Sequence, residues 1–323
     1  MKITLNTQRP DAAASMMYIN AMKSIPEVSI NDYNYDKYDI ALIMTYDHAQ
    51  IQNIKQKHPN LKVGIVDPRG QGILPSVLHS DFMIIDSIEM EDYWSIANKP
   101  MFRYSEYPIM PYLKKKHEDK DKIVIGYHGN MIHLDCMATT VTPALSDLGK
   151  NYNIQLMVMY NGNPPSGKEM WIPKNCSIKH VWWSMDNYVN ELAKSDIGIA
   201  PNNMIHDTST KHLTKTEHRF NFSEDDYSLR FKMPSNPGRF LVFGKLNIPV
   251  VADFYPSALQ LLRGDEGFVA HNPQGWKYNL ERLIKSSSLR QSVGDCLQKL
   301  VVEKFDFDVQ NKSLLTFLKE TVL

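Results

Sequence analysis

The chain is predicted to fold as two parallel α/β domains in tandem. Short apolar segments alternate with helical segments from the first residues, and the alternation starts again after a break near residue 110. Strand, helix and strand repeated in this order form right-handed βαβ units and a parallel sheet. The length of 323 residues also suits about two domains. Because ligands bind beyond the carboxyl ends of such strands, we expect a site in a central cleft faced by both domains.

The first domain is predicted to span residues 1–113. Its strands are continuous apolar runs of the kind that a parallel sheet buries on both faces. The first helix is expected at 12–24, with Asp11 as its cap. The predicted strands are 3–5, 40–44, 62–66 and 82–85.

The second domain is predicted to span residues 114–307, after a stretch rich in proline and charge. A helix is expected from about His133 to Gly149, and another at 185–194. A long polar segment at 202–227 shows no periodicity and is expected to border the cleft. Residues 308–323 are expected to form a C-terminal helix. The predicted strands are 123–127, 154–159, 196–201, 248–252 and 268–269.

Composition excludes several functional classes. Lys plus Arg and Asp plus Glu number 36 each, so nothing in the overall charge attracts nucleic acid. Three cysteines without CxxC or Cys/His spacing argue against a disulfide framework or a structural zinc, and fit a reducing cytoplasmic setting. The first residues do not resemble a signal peptide. The lysine run 114–116 is interpreted as a solvated linker, with peripheral contact to the inner membrane face as the alternative.

The stretch 229–253 contains the first predicted anion site. Asn236 and Pro237 indicate the start of a helix, as N-cap and first helical residue. Ser235 and Arg239 are four residues apart and share a face, and Lys232 adds an ammonium group. A helix amino end beside such groups binds anions. Taken alone, however, this stretch is more typical of a solvated surface helix.

The turn 126–130 follows the first strand of the second domain and predicts a second anion site. Gly129 lets the backbone approach a ligand, and the helix after Asn130 is expected to direct its amino end there. The turn matches neither GxGxxG nor GxxxxGK[ST], which argues against a dinucleotide-binding dehydrogenase and a P-loop NTPase. His128 is interpreted either as a core or capping residue or as a ligand contact. Two converging helix amino ends suit a diphosphate.

From residue 123 to about 307 the chain resembles the donor-binding domain of GT-B glycosyltransferases of the "glycosyl transferases group 1" kind, which are family 4-like. The resemblance rests on IVIGYHGN, PALSDLGKNYNIQLMVM, ELAKSDIGIAPN and KMPSNPGRFLVFGKLNIPVVAD, in that order. It implies two tandem Rossmann-like domains, of which the first resembles the family only in pattern and position. It also implies transfer of a sugar from a nucleotide diphosphate donor to a glycan or other hydroxyl acceptor, with no cofactor or metal, in polysaccharide or glycoconjugate biosynthesis.

The chain departs from this family at two glutamates, whose places are taken by Pro234 and Val242, while Asn247 replaces the usual glycine. The carboxylate contact to the donor ribose is therefore absent or supplied by Asp253, which is alternatively a cap of the next helix. The missing glutamates leave a non-catalytic alternative open. The chain would then be a two-domain protein that binds a small ligand, or a scaffold of GT-B type.

The resemblance implies roles for particular residues. Lys232 and Arg239 would meet the negative charge that develops on the leaving diphosphate. In the first domain, expected to hold the acceptor, Asp67 and Arg69 are the preferred catalytic pair, because a carboxylate can accept a hydroxyl proton. Asp67 fits a turn before Pro68 equally well. The donor diphosphate site would comprise Gly129, Asn130, Lys232, Ser235, Asn236 and Arg239, with His128 and Asp253 as further candidates; Arg9 and residues 46–48 are other acceptor-site candidates.

Overall fold

The computed structural model describes residues 1–45, 47, 49–69, 73–202 and 237–323. These residues form two compact units. Unit 1 contains residues 1–109 and 304–323, and unit 2 contains the described residues of 110–202 and 238–303. Each unit holds a six-stranded parallel sheet, which confirms the two Rossmann-like α/β layers predicted from the sequence.

The elements are numbered in chain order. The strands are β1 Ile3–Thr7, β2 Val28–Ile30, β3 Ile40–Met44, β4 Lys62–Val66, β5 Phe82–Ile85, β6 Met101–Arg103, β7 Lys122–His128, β8 Asn153–Tyr160, β9 Ser177–Trp182, β10 Ile197–Ala200, β11 Val250–Asp253 and β12 Phe268–Ala270. The α-helices are α1 Ala13–Met22, α2 Gln50–Lys57, α3 Leu74–His79, α4 Ile88–Trp94, α5 Val141–Leu148, α6 Tyr188–Leu192, α7 Gly238–Lys245, α8 Pro256–Leu261, α9 Pro273–Lys285, α10 Ser287–Leu300 and α11 Phe307–Phe317.

Unit 1 buries both faces of its sheet, whose strand order is β2-β1-β3-β4-β5-β6. Alternate residues of one strand pack into separate clusters. Ile40 and Leu42 pack with α1 and α11, whereas Ala41 and Ile43 pack with α2, α3 and α4. Because side chains alternate between the faces of a strand, a sheet covered on both sides needs an unbroken apolar run.

Unit 2 has the strand order β12-β11-β10-β7-β8-β9. Its core contains the fully buried Trp276 of α9 and side chains of β7, β8 and β10. Close packing depends on a glycine in β10, because a Cβ on Gly198 would lie 2.6 Å from the ring of Phe243 in α7. This contact holds α7 directly against β10.

One predicted helix start and one predicted helix cap are wrong. The helix expected from His133 is replaced by short 3-10 turns at Met131–His133 and Asp135–Met137, and α5 begins only at Val141. A longer helix would place Pro143 in its interior, where proline breaks a backbone hydrogen bond; in α5 it lies in the first turn, where it is tolerated. Asp11 does not cap α1, whose N-cap is Ala12; it pairs with Arg9 instead.

The lysine run 114–116 is solvated at Lys114 and Lys116, as predicted, but Lys115 is anchored to unit 2. Lys115 donates to the carbonyl oxygens of Ala193 and Ser195 at 2.6 and 2.5 Å, and its burial lowers its pKa to about 8. The buried His117 bonds through Nε2 to the carbonyl oxygen of Asn247 at 2.9 Å. None of the described helices combines the length and apolar character needed to cross a membrane.

The end of the chain completes unit 1. Gln310 of α11 accepts from the backbone N–H of Ser105 at 2.8 Å and donates to its carbonyl oxygen at 3.1 Å. Asn311 accepts from the Tyr104 hydroxyl at 2.8 Å and donates to the carbonyl oxygen of Ala21 at 2.9 Å. The last helix is therefore hydrogen-bonded both to α1 and to the residues that follow β6.

Candidate functional site

The candidate site in unit 2 lies where the strand order of the sheet reverses. β7 has β8 on one side and β10 on the other, so the chain crosses over in opposite directions from β7. Such a switch point opens a crevice beyond the carboxyl ends of the two diverging strands. His128 ends β7 and is followed by Gly129, while Pro201 and Asn202 follow β10.

The turn after β7 requires its glycine. Gly129 has φ 136°, and a Cβ there would lie 3.3 Å from the Tyr127 hydroxyl and 3.5 Å from Cδ of Arg239. Its backbone N–H donates to the carbonyl oxygen of Met159 at 3.2 Å, while the Tyr127 hydroxyl donates to the carbonyl oxygen of Asn130 at 2.5 Å. The Gly129 amide, predicted to bind phosphate, is therefore used to join β7 to β8.

Arg239 connects the two strand ends of the switch point. It lies in the first turn of α7, and its Nη1 donates to the carbonyl oxygen of Pro201 at 2.8 Å. Its own carbonyl oxygen accepts from Nε2 of His128 at 3.3 Å. The structure thus brings together His128, Gly129 and Arg239, and puts a guanidinium at the carboxyl edge of the sheet beside a helix amino end, an arrangement that favours anions.

His128 is held as a neutral imidazole. Burial lowers its pKa to about 4; the bond to the Arg239 carbonyl opposes this fall, and the Arg239 guanidinium adds to it. The ring also packs edge-on against Phe243, with ring centroids 5.0 Å apart. His128 therefore carries no charge at neutral pH and adds none to an anion site.

Asp253 orders the end of β10. Its Oδ2 accepts from the backbone N–H of Asn202 at 2.6 Å, and its Oδ1 accepts from Nε1 of Trp276 at 2.8 Å. The carboxylate is 1% exposed. It does not cap α8, whose N-cap is Tyr255. These two contacts support the backbone of the site, since both oxygens accept from buried protein groups.

Asn202 and Trp276 are members of this site that sequence reasoning missed. Asn202 is 7% exposed, and its Oδ1 receives no hydrogen bond from any residue in the described part of the chain. An asparagine directly after an apolar strand that ends in proline was the available signal. Three predicted members, Lys232, Ser235 and Asn236, lie outside the described residues, and Asn130 is exposed.

In unit 1, the predicted pair Asp67 and Arg69 is found within a larger charged cluster. Asp67 follows β4 with φ 49°, a left-handed conformation that aspartate tolerates. Nε of Arg69 donates to Asp67 Oδ1 at 2.6 Å, and Nη2 donates to the fully buried Asp86 after β5. Burial acts to lower the pKa of Arg69, but the carboxylates of Asp67 and Glu106 outweigh it and raise that pKa.

The remaining candidates have simpler surroundings. Arg9 pairs with Asp11 at 3.3 Å, and both side chains are exposed. Two sequences with DxD spacing, 119–121 and 306–308, have structural roles: Asp306 caps α11 by accepting from the Asp308 amide, and Asp119 accepts from the Ser287 amide. Residues 46 and 48 lie outside the described part of the chain. Within that part, no group of three or more His, Cys, Asp or Glu side chains is placed to hold a metal ion.

Comparison with solved structures confirms the predicted GT-B fold. Anabaena Alr3699/HepE in complex with UDP superposes with a TM-score of 0.65 at 11% identity, over 99% of this chain and 100% of that one. Sucrose-phosphate synthase tll1590 from Thermosynechococcus elongatus gives 0.65 at 9% identity, over 100% and 99%. A putative UDP-N-acetylglucosamine 2-epimerase from Listeria monocytogenes gives 0.56 at 10% identity, over 100% and 97%. No family model and no curated protein sequence matches the chain.

Proposed function

We propose that the chain is a glycosyltransferase that takes a sugar from a nucleotide diphosphate donor. The observation that carries the proposal is Arg239, a guanidinium beside a helix amino end at the switch point of unit 2. Its setting suits a diphosphate. The shared fold supports the same class of ligand, because HepE was solved with UDP, with UDP and glucose, and with UDP-glucose.

In the proposed reaction, the oxygen of an acceptor hydroxyl attacks the anomeric carbon of the donor sugar. The bond from that carbon to the diphosphate oxygen breaks, and its electron pair leaves with the diphosphate. Arg239, with Lys232, Ser235 and Asn236, stabilises the charge that develops there, without a metal ion. The hydroxyl proton passes to a carboxylate of unit 1, the assumed acceptor unit, and Asp67 paired with Arg69 is the proposed base.

The proposal includes the acceptor, the pathway and the cellular compartment of the reaction. The acceptor is a glycan or a small molecule with a free hydroxyl, and the pathway builds a polysaccharide or glycoconjugate. We place it in the cytoplasm because Cys136, Cys176 and Cys296 are all free thiols, which suits a reducing compartment. Contact with the inner face of the membrane stays part of this proposal.

One alternative function is favoured by a specific observation. The putative UDP-N-acetylglucosamine 2-epimerase shares the fold over nearly the whole of both chains, so the same site could serve isomerisation of a nucleotide sugar. A second alternative is a binding protein without catalysis, since Val242, buried in α7, replaces a family glutamate. The two alternatives and the transferase differ in their products.

The binding step is tested by thermal unfolding of the full chain with UDP, GDP, CDP and dTDP. We expect one nucleotide diphosphate to raise the midpoint, and Arg239→Ala and Lys232→Ala to abolish the rise, because each removes a cation from the diphosphate site. Arg263→Ala, which changes an exposed arginine of unit 2, is the matched control and should behave as the unchanged chain. Absence of a response to all four nucleotides would refute the donor site.

The catalytic step is tested with the glucose conjugate of the nucleotide that binds. We expect release of the nucleotide diphosphate by slow hydrolysis, lost in Arg239→Ala, and transfer when acceptor hydroxyls are supplied. Asp67→Asn should lower transfer by about 10²-fold or more, the usual contribution of a general base, with donor affinity kept. Formation of an epimer without release would favour the isomerase, and binding without any product would favour the non-catalytic alternative.

A further inference from the structure

The switch point offers hydrogen-bond acceptors as well as positive charge. A bond from a ring nitrogen to a carbonyl oxygen requires the nitrogen to donate, so the bond from His128 to the Arg239 carbonyl assigns the ring proton to Nε2. In a neutral imidazole the other nitrogen, Nδ1, then carries a lone pair. Among the residues that the structure describes, none donates to Nδ1.

The orientation of the His128 ring is held from two directions. Nε2 is tied to the first turn of α7, and the face of the ring is set by the edge-on contact with Phe243 of the same helix. Phe243 is fully buried and packs on Gly198 of β10, so it cannot shift easily. The position of Nδ1 is therefore fixed by these two contacts, at the end of β7 and directly before the turn at Gly129.

A second acceptor lies at the neighbouring strand end. The Oδ1 of Asn202 is buried and receives no hydrogen bond from the described residues, a state that costs free energy unless a donor arrives. The backbone of Asn202 is fixed by Asp253, and the preceding residue, Pro201, binds Arg239. Each of the two strand ends that hydrogen-bond to Arg239 thus carries an unfilled acceptor, Nδ1 of His128 after β7 and Oδ1 of Asn202 after β10.

Two acceptors beside a guanidinium do not suit a bare diphosphate, because phosphate oxygens are themselves acceptors and would be repelled. They suit a ligand that joins an anion to hydroxyl groups. We propose that Nδ1 of His128 and Oδ1 of Asn202 accept hydrogen bonds from hydroxyl groups of the ligand whose anionic part contacts Arg239. This inference rests on the proposed function and adds to it that His128 is a specificity-determining residue for a polyhydroxylated donor.

Substitution of His128 by glutamine or by asparagine distinguishes the role of Nε2 from the role of Nδ1. The side-chain amide of glutamine reaches as far as Nε2, so His128→Gln keeps a donor for the Arg239 carbonyl and removes the acceptor at Nδ1. The amide of asparagine reaches only as far as Nδ1, so His128→Asn keeps an acceptor there and loses the bond to Arg239. His79→Gln, on an exposed histidine of α3 in unit 1, is the matched control.

The test is calorimetric titration of the full chain with UDP-glucose and with UDP. We expect His128→Gln to raise the dissociation constant for UDP-glucose about 3- to 10-fold, the value of one hydrogen bond. His128→Asn should bind more tightly than His128→Gln, because it keeps an acceptor at the place of Nδ1. His79→Gln should stay within about twofold of the unchanged chain, and Asn202→Ala should weaken binding as His128→Gln does. A loss confined to UDP-glucose identifies a hydroxyl of the sugar, whereas an equal loss for UDP, restored by His128→Asn, identifies a hydroxyl of the ribose.

Two results would overturn the inference while leaving the proposed function intact. One is a His128→Gln variant that binds both ligands as the unchanged chain does. The other is a His128→Asn variant that binds no better than His128→Gln, which would mean that His128 only supports α7. Failure of the unchanged chain to bind either ligand would overturn the inference together with a UDP-dependent function.

Discussion

The sequence resemblance aligns Asn247 with a glycine, and the contacts of Asn247 show what an asparagine adds at this position. It follows α7 with φ 58°, a left-handed conformation that asparagine adopts more readily than most residues. Its Nδ2 donates to Asp295 at 2.8 Å, and its Oδ1 accepts from Gln291 at 3.2 Å. A glycine would supply only the backbone conformation, whereas the asparagine also binds α10 to the end of α7.

The backbone conformation and the side-chain bonds of Asn247 predict an order of stability among its variants. Both Asn247→Gly and Asn247→Ala lose the bonds to α10, but only alanine is strained at positive φ. The strain of about 1–2 kcal/mol exceeds the entropy cost of glycine of about 0.4–1 kcal/mol, so the alanine variant should be less stable by about 1 kcal/mol. Thermal unfolding should place its midpoint about 2–4 °C below that of the glycine variant. Equal midpoints would show that the conformation is not strained.

At the scale of elements, the same hydrogen bond, from a backbone N–H to an aspartate of the neighbouring strand, occurs at the start of three strand pairs. Asp39, Asp81 and Asp196 each stand just before or at the start of a strand, and Oδ2 of each accepts the backbone N–H of a residue at the start of the neighbouring strand, at 2.7, 2.7 and 2.8 Å. Two of them also bind a lysine, since Asp81 contacts Lys55 and Asp196 contacts Lys120. The carboxylate fixes the register at the amino edge of the sheet.

The three aspartates differ in burial, and this predicts the cost of removing them. Their side chains are 54%, 27% and 4% exposed for Asp39, Asp81 and Asp196. Asp196→Ala removes a buried carboxylate and leaves the half-buried N–H of Val124 without its acceptor, and should cost about 2–3 kcal/mol, whereas Asp39→Ala should cost less than about 1 kcal/mol. Asp81→Ala should fall between them. Urea unfolding of the three variants measures the series, and a larger effect at Asp39 than at Asp196 would contradict it.

The position of a strand in its sheet decides whether the sequence predicts it. The missed strands β2, β6 and β9 are all edge strands of their sheets. An edge strand has a neighbour on one side only and is less buried, so it lacks the apolar run that reveals a central strand. α5 was placed too early because its apolar period continues upstream of Pro143, whereas the proline limits where a helix can begin.

The sequence could predict only those members of the candidate site whose positions follow from the strand and helix order. His128 follows a predicted strand, and Arg239 was predicted at the amino end of the helix before another strand. In βαβ units the strand carboxyl ends and the helix amino ends lie at one edge of the sheet, so their proximity could be expected. The bonds of Asp253 to Asn202 and Trp276 join residues 51 and 23 positions apart. Nothing in the periodicity of either partner indicates such a bond, because it depends on the packing of α9 against the sheet.

At the scale of the whole molecule, the chain builds unit 1 from its two ends. Residues 1–109 provide the sheet, and residues 304–323 provide α11, which covers the face of the sheet formed by Ile40 and Leu42. Unit 1 therefore cannot complete its core until the end of the chain is available. Unit 2 takes all of its described core from residues between these two segments.

This division predicts that damage to α11 weakens unit 1 and spares the site of unit 2. Leu314 is fully buried in the unit 1 core, so Leu314→Ala should cost about 2–5 kcal/mol by leaving a cavity between α11 and the sheet. Leu323→Ala removes the same atoms from a residue that is 60% exposed and should change little. Calorimetric unfolding with and without UDP separates the two units. We expect Leu314→Ala to lower the transition that does not respond to the nucleotide, because Arg239 and His128 belong to the other unit; a fall confined to the nucleotide-dependent transition would show that α11 stabilises unit 2 instead.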